Sequence, residues 1–277
     1  MVLVNKAPSL FIYVFLLLTL VTTVLKPVHA VAPIHVAVAS NFLVPARHLV
    51  NQFKLETGYD VVLISGASGN LYTQMIKGAP IDVFLSADSK LPQQLVKDDM
   101  ALPESLYTYA EGQLVLWSGN SALQLNQHTV ATWPHRLAIA NPRFAPYGAA
   151  ALEYLSAHDV LDSYQHRLIK ANNVNQAFQF IDSGNVQLGM IPLSLLKVAY
   201  QKSKAQKYLH YYPLPNKPKI IQQMVILSRA QNKLMAWKWL NFVTSEKAQQ
   251  YLASVGYIAQ TSQQIAQQRV HNMQLKQ

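Results

Sequence analysis

Three times in the first third of the chain, an apolar run of strand length gives way to a helical repeat. Ile34 to Ala39 is followed by Leu43, Ala46, Leu49, Val50 and Phe53, closing at Gly58. Asp60 to Ile64 is followed by Leu71, Met75 and Ile76, closing at Gly78, and Val83 to Ser86 by Leu91 to Lys97. Apolar residues three and four apart line one face of a helix, whereas a short apolar run bounded by turn residues reads as a buried strand. Pro45 falls in the first helical turn, where its missing N–H costs nothing. Three strand–helix units in succession imply a parallel sheet covered by helices.

The pattern then restarts. Gln113 to Ser118 reads as a strand, and Leu137 to Ala140 as another, ending in Asn141-Pro142 before a helix from Tyr147 to Ala157. A helix over Val174 to Asp182 stops at Gly184, a strand covers Gln187 to Ile191, and Ser194 to Tyr200 is helical. Tyr208 to Tyr212 and Ile220 to Leu227 read as strands around Pro213, Pro215 and Pro218. Amphipathic helices follow over Asn232 to Phe242 and Glu246 to Ser254. The expectation is an α/β protein of two lobes, the first (31–112 and 222–277) interrupted by the second (113–221). The Gln-rich end, with Ile265, Ala266, Val270 and Met273 weakly periodic, is read as a loosely docked helix rather than a disordered tail.

Residues 1–30 have the form of a cleaved signal peptide. Lys6 supplies a basic start, Leu10 to Leu20 an apolar core, and Val28-His29-Ala30 small residues at positions −3 and −1. The competing reading is an uncleaved anchor, since Ala7 to Leu25 approaches spanning length. Cleavage near Ala30 and a periplasmic location are expected. With no cysteine there is no lipoprotein anchor and no disulfide, so packing must hold the fold. The formal charge is +10, but the lysines and arginines are scattered, the densest run being Lys197, Lys202, Lys204 and Lys207. No basic stripe interleaved with aromatics occurs, so no nucleic-acid partner is expected.

Chemistry concentrates where strands hand over to helices. Ser65-Gly66-Ala67-Ser68-Gly69-Asn70 joins the second strand to the second helix, and Ala39-Ser40-Asn41 repeats the arrangement at the first. Pro146-Tyr147-Gly148 and Asn173-Val174 form two more such junctions. The first N–H groups of a helix lack acceptors inside it, and the positive end of the helix dipole favours an anion there. For any one junction, simple capping by Ser or Asn competes with this reading. The glycines flanking Ser68 argue against it there, and four junctions facing one cleft would favour a ligand.

Three strings make the resemblance specific: Ala37-Val38-Ala39-Ser40, the Gly66-Ala67-Ser68-Gly69 loop, and Gly78 to Asp88 (Gly-Ala-Pro-Ile-Asp-Val-Phe-Leu-Ser-Ala-Asp). With Leu137 to Pro142, Pro146-Tyr147-Gly148 and Val255-Gly256-Tyr257, the chain resembles the periplasmic molybdate-binding proteins of ABC transporters from Ile34 to about Ile258. The resemblance implies the type II periplasmic binding protein fold: two hinged lobes, each a mixed, mostly parallel sheet flanked by helices. It also implies a non-enzymatic protein that holds a tetrahedral oxyanion, molybdate or tungstate, without a cationic side chain or cofactor. The hydroxyls and N–H groups of Ser40 and Ser68, with Asn41, would serve from the first lobe, and the main-chain N–H groups of Tyr147 and Val174 from the second. Any metal contact at Ser40, Ser68, Tyr147 and Val174 would be with molybdate only. The implied partner is the transporter's membrane permease, and the chain is expected to be a monomer. On this reading Ser68→Ala cuts affinity with little change in folding.

One position departs from the pattern. Many members place a tyrosine after the Leu-Gly-hydrophobic-hydrophobic string, but here Leu188-Gly189-Met190-Ile191 runs into Pro192, which donates nothing. Asn41 or the Tyr147 backbone is expected to substitute. Two alternatives stay open. The same fold could take sulfate or ferric ion, for which Tyr211-Tyr212 would be the candidate iron ligands. A secreted hydrolase using Ser40 or Ser68 is the other, although no Gly-x-Ser-x-Gly elbow or metal-spaced His pair occurs. Asp82 and Asp88 fit a strand start and a turn or cap better than a catalytic pair.

Overall fold

The computed structural model describes residues 32–274. The expected signal segment, residues 1–30, lies outside the described residues. Among those described, no helix is long and apolar enough to cross a membrane.

The strand–helix order expected of the first third is observed. β1 (Ile34–Ala39) leads through a 3-10 turn (Ser40–Phe42) into α1 (Leu43–Thr57), which ends at Gly58 in the left-handed conformation. β2 (Val61–Gly66) leads into α2 (Ser68–Ile76), and β3 (Val83–Leu85) into α3 (Lys90–Lys97). β4 (Tyr107–Gly112) and β5 (Leu114–Trp117) follow, separated by Gln113 alone. After a helical turn (Thr129–Thr132) come β6 (Leu137–Ala140), α4 (Pro146–Ala157), β7 (Leu168–Ala171) and α5 (Val174–Asp182). β8 (Leu188–Pro192), α6 (Leu193–Ser203), β9 (Tyr211–Pro213) and β10 (Ile220–Ile226) precede α7 (Lys233–Val243) and α8 (Glu246–Ser254). A two-residue β11 (Ile258–Ala259) and α9 (Ser262–Gln274) close the described chain.

Two mixed sheets result, ordered β11-β4-β10-β3-β1-β2 and β7-β6-β8-β5-β9. β1 is parallel to both β2 and β3, as helical crossovers require, and β6 is parallel to both β7 and β8. β10 runs antiparallel between β3 and β4, so the chain that leaves the six-stranded sheet after β4 returns to its middle. Period-2 alternation divides each strand between two cores. Val36 and Val38 pack with Phe42, Phe53 and Trp239, while Ala37 packs with Leu71, Met75 and Phe84 on the opposite face. Leu114 and Leu116 likewise face one core and Val115 and Trp117 another. Burial on both faces is why these strands read as unbroken apolar runs.

One local expectation changes and another is sharpened. Residues 208–212 do not form one strand: Gln206–Leu209 is a 3-10 turn and only Tyr211–Pro213 pairs with β5. Aromatic content gives this stretch its strand-like look, but Tyr208 stacks on Trp117 with ring centroids 5.8 Å apart, which holds the backbone in the turn. The Gln-rich end is a helix, and its amides do specific work. Gln268 Oε1 accepts from Thr108 N–H at 2.6 Å and Asn272 Nδ2 donates to Leu106 O at 2.8 Å. Side-chain amides thus occupy the edge of β4 where the short β11 stops, and an open strand edge is closed.

The two carboxylates of the Gly78–Asp88 string are structural. Asp82 accepts from the N–H groups of His35 (2.7 Å) and Gln231 (2.9 Å), pinning β3 to β1 and to the loop after β10. Asp88 Oδ1 accepts from Leu91 N–H and Ser86 Oγ, both at 3.0 Å, at the start of α3. Burial pushes the Asp88 carboxyl above its ordinary 3.8, outweighing those hydrogen bonds. A carboxyl raised on folding loses its proton later than in the unfolded chain, so its contribution to stability falls as pH climbs from about 4 through the raised value. Asp88→Asn keeps the Oδ1 acceptor and removes the charge. The melting temperature of the variant relative to wild type is expected to rise between pH 4 and 6. A difference that stays constant or shrinks across that range contradicts the assignment.

Candidate functional site

The four junctions sit at the carboxyl ends of β1, β2, β6 and β7, where open α/β sheets place their ligands. Their residues meet. Ser40 and Asn41 after β1, Ser68 at the first position of α2, Tyr147 in the first turn of α4 and Val174 at the first position of α5 line one small cavity. Ala39, Ala67, Ala87, Ala145 and Pro146 complete its wall. All five site candidates are buried, none more than 6% exposed. The cavity holds about 180 Å³ including its mouth. Even with its mouth included, it is smaller than the roughly 300–1,000 Å³ of a site for a drug-sized ligand.

Capping does not account for the serines. Neither the 3-10 turn at Ser40 nor α2 nor α4 receives a side-chain cap, and the residues standing at their cap positions are Ala39, Ala67 and Ala145. Of the four junctions only the one at α5 is capped, by Asn173, whose side chain accepts from Gln176 N–H at 3.1 Å and does not engage the Val174 N–H. Ser68 Oγ instead accepts from Ala87 N–H at 3.0 Å. With one of its two lone pairs engaged there, the hydroxyl keeps its proton to donate. The cavity wall therefore offers hydroxyl protons and helix-start N–H groups, the donor set an anion needs, with no Lys, Arg, Asp, Glu or His in the lining. A serine nucleophile would have no base within this wall.

Asn41 lines the cavity, but its amide is engaged elsewhere. Nδ2 donates to Gln222 Oε1 at 3.0 Å and to Tyr257 OH at 3.2 Å, so what Asn41 can turn toward the cavity is its main chain. These contacts belong to a buried network that the sequence did not single out. Tyr257 OH donates to Asn41 O (3.0 Å), and Tyr109 OH lies 2.9 Å from both Gln222 Oε1 and Ser86 O. Gln222 Nε2 donates to Tyr147 OH at 3.1 Å. Complete burial pushes the phenols of Tyr109, Tyr147 and Tyr257 far up from 10.0, so all three stay protonated at any physiological pH. The one available signal was Gln222 itself, a carboxamide on the same core-facing side of β10 as Ile220 and Met224.

The cavity is closed by bonds between the two sheets' loops. Gly69 N–H donates to Phe144 O at 2.9 Å, and Asn175 Nδ2 donates to Ser40 O at 3.0 Å. A Cβ on Gly69 would stand 3.1 Å from Phe144 Cα, which accounts for glycine at that close approach. Pro192 pairs with Leu114 in the second sheet and does not line the cavity. Tyr211 and Tyr212 lie on opposite faces of β9, packed into different cores and away from the cavity.

A model of the bacterial extracellular solute-binding proteins matches residues 34–258. The chain belongs to that family. Among these solute-binding proteins it is 34% identical to the molybdate-binding protein ModA of Azotobacter vinelandii over 230 residues, 82% of this chain and 90% of that one. It is 35% identical to the ModA of Rhodobacter capsulatus over 228 residues, 81% and 87% of the two chains. The solved structure of the Azotobacter vinelandii periplasmic molybdate-binding protein superposes with a TM-score of 0.74 at 35% identity, covering 82% of this chain and all of that one. A sulfate-binding protein of Mycobacterium tuberculosis superposes with a TM-score of 0.72 at 13% identity, a likeness of fold alone. The family is one of binding proteins, not enzymes, and its matched span ends before α9.

Proposed function

We propose that this solute-binding protein captures molybdate, and tungstate with it, in the periplasm and delivers it as a monomer to the permease of an ABC importer. The observation that carries the reading is the uncharged cavity: two serine hydroxyls and helix-start N–H groups around a space smaller than a drug-sized ligand needs. A tetrahedral dianion surrounded by neutral donors has its charge spread over N–H and O–H dipoles, each charge-assisted bond contributing roughly 1.5–3 kcal/mol. The absence of a cationic side chain from the wall keeps the ion releasable. Fixed donors also gauge the ion's radius, which favours molybdate and tungstate over the smaller sulfate and phosphate. The names of the relatives at 34% and 35% identity point to the same ligand. In this reading Ser40, Asn41, Ser68, Tyr147 and Val174 hold the oxyanion. The Asn41 and Tyr147 main chains supply the donors that Pro192 does not.

Thermal denaturation against a panel of ions tests this. Ligand at about 100 times Kd stabilises a protein by about 2.7 kcal/mol, which for a chain of this size raises the melting temperature by roughly 5–11 °C. That rise is expected with molybdate and tungstate and not with sulfate, phosphate or ferric ion. Stabilisation by sulfate or ferric ion alone overturns the assignment.

A further inference from the structure

We propose that Gln222 is a positioning residue that couples the two halves of the cavity and thereby sets which oxyanion radius it accepts. The inference rests on the oxyanion reading above and adds a residue that never reaches the ion. Gln222 is wholly buried, and both ends of its carboxamide are engaged. Oε1 accepts from Asn41 Nδ2, on the turn that carries Ser40, and Nε2 donates to the hydroxyl of Tyr147, whose main chain lines the opposite side. One planar amide therefore ties the β1 junction of the six-stranded sheet to the α4 junction of the five-stranded sheet. Tyr109 OH, 2.9 Å from Oε1, holds the amide from a third direction.

The location suits a pin between moving parts. Gln222 lies just inside β10, where the chain returns to the six-stranded sheet, and Gly112 ends β4, where the chain leaves it. A Cβ on Gly112 would stand 2.0 Å from Tyr147 OH and 2.5 Å from Gln222 Nε2, so the Tyr147–Gln222 bond is packed directly against the outgoing connection. Hinge motion is absorbed by a few residues at such connections. A hydrogen bond fixed there holds the separation of the two donor sets while the cavity closes. Molybdate and sulfate present the same charge and the same four oxygens, so the separation of the donors is what can tell them apart.

The test compares Gln222→Leu, Tyr147→Phe and the double variant. Each is titrated with molybdate and with sulfate by calorimetry, and folding is checked by melting. Tyr147→Phe removes the hydroxyl and keeps the main-chain N–H. Both single variants are expected to lose about 10-fold or more in molybdate affinity and to narrow the molybdate-to-sulfate preference by a similar factor. The double variant is expected to be no worse than Gln222→Leu, because contacting residues in one network do not add. An unchanged preference in the folded variants, or losses that multiply, overturns the proposal. If Gln222→Leu does not fold, Tyr147→Phe decides alone: an unaltered preference sinks the coupling. Wild-type protein that binds no molybdate would instead remove the oxyanion reading itself.

Discussion

Ser68→Ala is expected to weaken molybdate binding by about 10- to 150-fold, the factor that corresponds to losing one charge-assisted hydrogen bond of roughly 1.5–3 kcal/mol. The hydroxyl is suited to such a bond because one of its two lone pairs is already occupied by Ala87 N–H at 3.0 Å, which leaves its proton to point elsewhere. At 1% exposure, Ser68 is shielded from bulk water. The same geometry revises the expectation that folding would hardly change. Alanine leaves the buried Ala87 N–H without its acceptor, a loss of about 1–3 kcal/mol in stability. Titration calorimetry well below the variant's melting temperature separates the two effects. Near-wild-type Kd in the folded variant would remove Ser68 from the proposed ligand set.

The βα units were legible because two-sided burial writes itself into the sequence as apolar runs, and Gly58 and Gly78 mark where helices must stop. β4, β7 and β11 escaped notice for opposite physical reasons. β11 has only two residues, and β7 holds Lys170 within a short, partly exposed run. β4 mixes Thr108 and Glu111 into its apolar residues because it lies near the sheet edge. The junction residues were legible because helix starts advertise themselves through Ser, Asn, Gly and Pro. Their convergence was not, since it depends on how two sheets face each other.

The supporting network was harder still to read. Asn41 looked like a donor to the ligand because its position beside Ser40 says nothing about the Gln222 and Tyr257 side chains that take both of its amide hydrogens. Gln222 and Tyr257 lie 181 and 216 residues away in sequence, and no local pattern links them to Asn41. Sequence reading also weighted the glycines around Ser68, yet a Cβ at Gly66 would meet only the Leu71 side chain at 3.3 Å. At Gly69 it would meet the Phe144 backbone at 3.1 Å, and a more demanding glycine still is in another junction.

That glycine is Gly148, and Gly148→Ala is expected to damage both fold and binding. A Cβ there would stand 2.1 Å from Ala140 O, 2.8 Å from Ala140 C and 2.9 Å from Pro142 N. All three atoms are backbone, so no side-chain rotation relieves the clash. Either the end of β6 or the start of α4 must move by about 1 Å, and overpacking of this kind costs about 1–3 kcal/mol. The displaced turn carries Tyr147, whose main chain lines the cavity and whose hydroxyl is tied to Gln222. A binding constellation tolerates only about 0.5 Å of error in its donors, so a movement of that size is expected to lower molybdate affinity by 10-fold or more. Gly66→Ala is the control, since Leu71 can give by a few tenths of an ångström, and its affinity should stay within about threefold of wild type. Melting and calorimetry on the two variants side by side read the difference. A Gly148→Ala protein with wild-type affinity would mean that α4 can shift without moving a donor, and Tyr147 would then leave the proposed site.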